Sequence, residues 1–261
     1  MKLGIITGHD RTGLKRVKDL GLKYAEFDVN GDDVSYLAKN LDDIKAAMAE
    51  YGVSIAAVGR WGRNRLNSDL TVNQKEQKDE FDLIDFCRQV GCPVYITGMN
   101  YVKDKSYFAN VSAAIGYIKS LIDYAGGDVK ICTYNCEWNN YIDKKHEWDI
   151  VHDHLKELGI KYDPSHAING GRDYMDEIVN YGSRVYHIHL KGTINSGGIH
   201  LDDPPAGMDM INWPAFVSVF RRFGYDGVLS IEPHSATWTG ELGEKGLKYT
   251  IKYFKSLLFE D

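Results

Sequence analysis

Short apolar runs alternate with amphipathic stretches from one end of this chain to the other. Leu3–Ile6, Tyr24–Val29, Ser54–Val58, Val94–Thr97, Val129–Asn135, Ile160–Tyr162, Val185–Leu190 and Val228–Ile231 read as strands. The stretches between them read as helices: Gly13–Leu20, Asp32–Glu50, Val72–Val90, Tyr107–Tyr124, Glu147–Leu158, Tyr174–Tyr181, Pro214–Phe223 and Glu241–Leu258. In the second of these, Val34, Leu37, Leu41, Ile44 and Met48 recur at helical spacing up to a closing Gly52. Strict alternation implies parallel strands joined by crossover helices. Eight such units in 261 residues, with no linker-like break in composition, suit a single α/β domain over 1–261, a (β/α)8 TIM barrel. An open doubly wound sheet usually carries a glycine-rich phosphate turn after its first strand. Here Gly4, Gly8 and Gly13 form neither that fingerprint nor a P-loop, so nucleotide binding is not expected.

Composition narrows the reading further. With 43% hydrophobic residues and only 6 Pro against 26 Gly, the chain is neither disordered nor collagen-like. Its 31 Lys and Arg against 37 Asp and Glu leave a net charge of −6, which disfavours nucleic acid as the main partner and still permits a small charged substrate. Cys87, Cys92, Cys132 and Cys136 form no CxxC and read as reduced, buried thiols of an intracellular protein. No signal peptide and no long apolar span are evident, so a cytoplasmic chain without membrane contact is expected. A homo-oligomer is left open.

In a barrel of this kind, chemistry sits where strands end. Strand five runs into Glu137, strand six into Asp163, strand seven into His189 and strand eight into Glu232. Side chains alternate along a strand, so the apolar partners tell which way each polar one faces. Leu229 and Ile231 outward turn Ser230 and Glu232 inward; Ile188 and Leu190 outward turn His187, His189 and Lys191 inward; Tyr162 outward sends Asp163 inward. Glu137 is harder to place, because Tyr134 and Cys136 are only moderately apolar. Singly, each residue has a plainer reading: a surface Glu, a turn-forming Asp before Pro164, core histidines bonded to neighbours. Together, three carboxylates at one barrel mouth repel unless a cation sits among them. Three oxygen donors and an imidazole suit a divalent metal, Mn²⁺ first, with Mg²⁺, Co²⁺ and Zn²⁺ as alternatives.

With the segments Asp163–His166, Val185–Lys191 and Leu229–Glu232, the chain resembles over nearly its whole length, and specifically in its second half, the sugar phosphate isomerase/epimerase family with its xylose isomerase-like barrel. That group also holds inosose dehydratases, ketose 3-epimerases, hydroxypyruvate isomerases and endonuclease IV. Asp163-Pro164-Ser165-His166 is similar to the family's Asp-x-x-His segment, and Val185–Lys191 to its strand seven ending His-Leu-Lys. Asn212-Trp213, Phe223–Gly227 and Leu229–Glu232 are similar to its closing segment. The resemblance implies Glu137, Asp163, His189 and Glu232 as metal ligands and His166 as a catalytic or substrate-binding histidine. Lys191-Gly192 stands where Lys-Asp is usual, and Glu137-Trp138-Asn139-Asn140 follows an epimerase-like Glu-x-x-Asn. Gly207-Met208-Asp209 replaces an expected Gly-x-Gly. These departures bear on subfamily and substrate.

The chemistry so implied is proton removal beside a carbonyl through a metal-stabilised enediolate, with Glu137 and Glu232 as the two carboxylates that take and return the proton. The substrate class is a small carbohydrate: a sugar, sugar phosphate or keto-polyol. His9, Arg60, Trp61, Trp138 and Lys191 are candidate substrate contacts, although Arg60 equally suits a structural ion pair. The same parts support β-elimination, so a lyase or dehydratase acting on a keto-sugar, keto-inositol or 3-keto-glycoside is the first alternative. A non-catalytic sugar-binding barrel and a repair nuclease are more distant ones. His146, His152 and His154 are expected to be solvated on their helix.

Overall fold

The alternation closes on itself. The computed structural model describes residues 1–260. In chain order the elements are β1 (Lys2–Thr7), α1 (Arg11–Asp19), β2 (Tyr24–Asp28), α2 (Ser35–Lys39), α3 (Leu41–Tyr51), β3 (Ser54–Gly59), α4 (Gln74–Val90), β4 (Val94–Thr97), α5 (Tyr107–Ala125) and β5 (Lys130–Tyr134). There follow α6 (Lys145–His154), β6 (Gly159–Tyr162), α7 (Pro164–Asn169), α8 (Tyr174–Tyr181), β7 (Val185–Leu190), β8 (Ile194–Ser196), β9 (Ile199–Asp202), α9 (Trp213–Arg222), β10 (Val228–Ile231) and α10 (Gly240–Leu258). Eight parallel strands form a closed barrel in the order β1-β10-β7-β6-β5-β4-β3-β2, and helices fill the connections. Among the described residues no helix is long and apolar enough to cross a membrane.

Local signals set these boundaries. Asp10, Asn73, Ser106, Asp173 and Asn212 each cap a helix by accepting from a backbone N–H of its first turn. Gly52, Gly91 and Gly126 end α3, α4 and α5 in the left-handed conformation that costs glycine little. The single helix expected over Asp32–Glu50 is two. At Asn40 the backbone leaves helical geometry, and its side-chain Nδ2 donates to Tyr36 O at 2.9 Å, competing with the helical ladder. A hairpin the hydrophobic pattern does not signal, β8–β9, follows the seventh barrel strand. Gly197 and Gly198 both take positive φ at its tip, as a two-residue hairpin turn requires.

Two cores result. The larger lies between strands and helices, with Phe27, Leu83, Ile118, Trp148, Tyr162, Phe216 and Phe254 buried in it. The smaller fills the barrel interior toward β3–β5 with Ala57, Trp61, Ile96, Cys132, Tyr134 and Cys136. All four cysteines are buried free thiols. Gly59 and Gly98 make room there: a Cβ on Gly59 would lie 2.0 Å from the Trp61 ring, and one on Gly98 2.4 Å from that of Tyr134. These two rings stack with centroids 5.6 Å apart at the barrel mouth.

One expectation about α6 is corrected. His146 and His154 are exposed, but His152 is buried, its Nδ1 donating to Leu158 O at 3.1 Å while Nε2 has no partner. Burial, aided by Arg184, pulls it down to about 4. Between about pH 6.5 and 4 the unfolded chain therefore takes up a proton the native state refuses, so stability falls as pH falls. Wild type is expected to lose about 2 kcal/mol from this residue between pH 7 and pH 5, on top of the loss shared by all variants. Urea unfolding at the two pH values should show His152→Gln lacking that increment; equal losses in both proteins would refute it.

Candidate metal centre and pocket

Four barrel strands bring acids, histidines and lysines to the C-terminal mouth. On β7, Ile188 and Leu190 join the outer core while His187 and His189 turn inward. Lys161 of β6 pairs in register with His187, so two residues on Asp163 comes level with His189. His189 lies opposite Ser230 of β10, and Glu232 follows two residues later. Asp163 is held firmly. Its Oδ1 accepts from Ser165 N at 2.9 Å and Ser165 Oγ at 2.6 Å as the cap of α7, and the Asn135 amide pairs with its backbone N and O at 2.9 and 2.8 Å. Its Oδ2 is buried and takes no hydrogen bond.

Charges gather around that oxygen. His166 Nε2 lies 3.4 Å from it, Lys191 Nζ 3.5 Å and Lys161 Nζ 3.9 Å. Burial, opposed by Asp163 and reinforced by Lys191, pulls His166 down to about 3, so its neutral Nε2 accepts from Lys191 Nζ at 3.1 Å. Burial works against the charges of Lys191 and Glu232. For Lys191 the attraction of Asp163 and then of Glu232 outweighs it and holds the ammonium above the usual lysine range; for Glu232 the attraction of Lys191 and His189 outweighs it and holds the carboxylate well below its usual range. His189 is bonded at both nitrogens, Nδ1 to Glu232 Oε2 at 2.8 Å and Nε2 to Glu26 Oε1 at 2.7 Å. Against burial, Glu26 chiefly raises it to about 9. Asp28 moves the other way: burial first, then the Glu26 charge, push it up to about 8, and its Oδ1 is unpartnered.

Among the described residues two clusters have the donors for a metal ion. Ligand atoms of Asp163, His189 and Glu232 lie within 4.8 Å of one another, as do those of Glu26, His187 and His189. The second is sealed, and both Glu26 oxygens already accept from histidine nitrogens. The first has Asp163 Oδ2 with no hydrogen bond to lose, and His189 and Glu232 border a cavity of about 340 Å³. Two carboxylates and an imidazole beside open space fit a divalent ion with positions left for substrate.

The structure brings three of the four expected ligands together. Glu137 is exposed at the rim of the same cavity, outside the three-residue cluster. Register explains this. Tyr134 lies opposite Lys161, and Cys132, Tyr134 and Cys136 share the barrel interior, so β5 presents Cys136, not Glu137, at the level of Asp163. Trp61, Trp138, His166 and Lys191 all border the cavity, Trp61 buried and Trp138 58% exposed as an outer wall. Arg60 does not, and its place among the substrate contacts is corrected. It is fully buried, with Nε and Nη2 on Glu76 at 2.5 and 3.0 Å, Nη2 also on Asp79, and Nη1 on the Val29 and Gly31 carbonyls. Its donors are spent on the fold. His9 is corrected too: it borders a neighbouring cleft, edge-on to Phe27 and Tyr36. Glu26, Asp28 and Lys161 were missed. The parity rule applied to Tyr24-Ala25-Glu26-Phe27-Asp28, with Ala25 and Phe27 outward, would have found the first two.

These features define a (β/α)8 barrel with an acid–histidine centre at the C-terminal ends of its strands. The chain belongs to the xylose isomerase-like TIM barrel family, whose model matches residues 14–257. No curated protein matches the sequence. Among solved structures, a D-psicose 3-epimerase from Clostridium cellulolyticum H10, solved with D-tagatose, superposes with a TM-score of 0.77 at 13% identity, covering 100% of both chains. A xylose isomerase-like TIM barrel protein from Mycobacterium smegmatis in complex with magnesium gives 0.76 at 14% identity, covering 98% of this chain and 96% of that one. The probable 3-DHS dehydratase AsbF from Bacillus anthracis gives 0.74 at 14% identity, with 98% and 99% covered. At such identities the likeness is one of fold.

Proposed function

We propose that this protein is a divalent-metal-dependent isomerase or epimerase of a small sugar, sugar phosphate or keto-polyol. The observation that carries the reading is the convergence of Asp163, His189 and Glu232, the last two bordering the cavity, with Asp163 Oδ2 buried and without a hydrogen bond. Those three residues would hold the ion; Mn²⁺ is proposed first. When bound, it supplies Lewis-acid polarisation of a carbonyl and its neighbouring hydroxyl. Glu232, anionic and facing the cavity, takes the proton from the carbon beside that carbonyl. Lys191 sets a positive charge beside the oxygen that gains electron density, and neutral His166 orients its ammonium. Asp28, raised to about 8, keeps a proton with which to donate to a hydroxyl. Glu137 at the rim is the carboxylate available to the opposite face, and Trp61 and Trp138 offer apolar walls to the C–H face of a sugar. The epimerase among the structures of similar fold supports this reading by analogy.

One observation favours a second reading, elimination by a lyase or dehydratase. Epimerisation needs a base on each face, yet of Glu137 and Glu232 only Glu232 belongs to the donor cluster, while β5 offers a thiol, Cys136, at the level of Asp163. Elimination needs one base and an acid for the leaving group. Incubation of a panel of free and phosphorylated ketoses and 3-keto-glycosides with Mn²⁺-loaded protein in D₂O separates the two. Isomerisation or epimerisation is expected to place deuterium on a carbon beside the carbonyl. Loss of water or an aglycone, giving an unsaturated ketone with no labelled isomer, would replace the first reading by the second. A panel unchanged on both counts would overturn both.

A further inference from the structure

The bond from β2 to His189 reaches across the barrel. In strand order β2 is separated from β7 by β1 and β10, so Glu26 meets the histidine through the interior and not along a sheet neighbour. The carboxylate is fully buried, and both its oxygens are engaged: Oε1 at 2.7 Å from His189 Nε2 and Oε2 at 2.6 Å from His187 Nε2. A carboxylate engaged at both oxygens by ring nitrogens is an acceptor only, so each ring must present Nε2–H to it. For His189 the consequence is specific. Nδ1 donates to the Glu232 carboxylate at 2.8 Å in the ion-free protein, and it is the nitrogen that can exchange its proton for an ion between Glu232 and Asp163.

We infer that Glu26 is the positioning residue of the metal centre: it holds His189 in the Nε2–H form, fixes its ring plane, and so aims Nδ1 at the ion. The inference rests on the metal-centre reading above and goes one step behind it. Buried histidine ligands are commonly set by a carboxylate on the far nitrogen, which fixes the tautomer and strengthens the near nitrogen as a donor; losing that partner costs about 10–100-fold in metal affinity. Placement agrees with such a role. Glu26 does not border the cavity, so it does not meet substrate, and with both oxygens taken it has no place left for an ion. His187 occupies the second oxygen and keeps the carboxylate from swinging away from His189. A purely structural plug would need only that both histidines be satisfied. A positioning residue also sets which nitrogen of His189 is free.

The test uses full-length protein stripped with chelator and titrated with Mn²⁺, free ion being followed by electron paramagnetic resonance. Long-range ¹H–¹⁵N spectra of the histidine rings, recorded on protein loaded with diamagnetic Mg²⁺ or Zn²⁺, report the His189 tautomer. Glu26→Gln keeps the shape and removes the charge. It is expected to retain its circular dichroism, to bind Mn²⁺ about 10–100-fold more weakly, and to lose the single Nε2–H signature of His189. Glu26→Asp, which keeps the charge but withdraws it by one methylene, is the second variant should Glu26→Gln not fold; the same weakening is expected. Wild-type affinity and tautomer in either folded variant, with wild type binding Mn²⁺, would overturn the inference and leave the metal centre standing. A wild-type protein that binds none of Mn²⁺, Mg²⁺, Co²⁺ or Zn²⁺ would remove the metal centre, and the inference with it.

Discussion

Glu232→Gln is expected to lower turnover of whichever ketose the protein processes by ~10²–10⁴-fold, with the fold unchanged. The reasoning has two parts. Gln cannot accept a carbon-bound proton, so the step assigned to Glu232 has no replacement among its neighbours: Lys191 holds its proton tightly, and the His166 lone pair is taken by Lys191. The change also removes one of two carboxylates from the proposed ligand set, so Mn²⁺ affinity should fall with activity. Its side chain is partly exposed to the cavity rather than locked in the core, so circular dichroism and the thermal midpoint should move little. Deuterium exchange in D₂O and Mn²⁺ titration read the two losses separately. A variant that keeps wild-type exchange would show that the base lies elsewhere, with Glu137 and Cys136 next in line.

The largest expected effect on stability lies behind the Trp61 wall. Glu80 and Arg65 are both fully buried, and the carboxylate gathers Arg65 Nε at 3.1 Å, Tyr95 Oη at 3.1 Å, Thr97 Oγ1 at 2.6 Å and Tyr117 Oη at 2.5 Å. Arg65 in turn donates from Nη2 to Arg60 O at 2.6 Å, and its backbone N donates to Asn100 Oδ1 at 2.8 Å, which pins the segment carrying Trp61. Glu80→Gln keeps the shape but leaves a buried guanidinium without a counter-charge. Removing one partner of such a pair costs about 3–5 kcal/mol. Urea unfolding should show a lower midpoint at unchanged slope. A loss below about 1 kcal/mol would mean that water or a neighbouring acid reaches Arg65.

Most of the fold was legible because its period is coarse. Strands such as Val94–Thr97 and Val185–Leu190 are apolar runs bounded by turn residues, and β-branched runs of that length have few other uses. What escaped notice was set by single residues. Asn40 breaks a helix whose apolar spacing continues straight through it, because the break is a local hydrogen bond and leaves the buried face intact. The β8–β9 hairpin carries little buried apolar surface and is announced only by Gly197-Gly198. The site divides along the same line. Asp163, His189 and Glu232 could be placed from their strands because apolar partners fix parity; Glu137 could not, since Cys132, Tyr134 and Cys136 face the barrel interior and parity there needs the register with β6. Arg60 shows the limit of residue type alone. A guanidinium beside the mouth suits an anion, and only the positions of Glu76 and Asp79 in the first two turns of α4 decide otherwise.

The bond from Glu26 to His189 also says something about the order in which this protein becomes competent. Asp163, His189 and Glu232 all belong to the second half of the chain, and a half-barrel beginning near β5 would contain every donor of the proposed centre. Glu26 belongs to the first half, and its two histidines come within reach only after β1 has docked on β10 and the ring is shut. Ring closure is thus written into the centre: two halves of this chain brought together as separate fragments would regain the bond from Glu26 to His189 only by docking edge to edge.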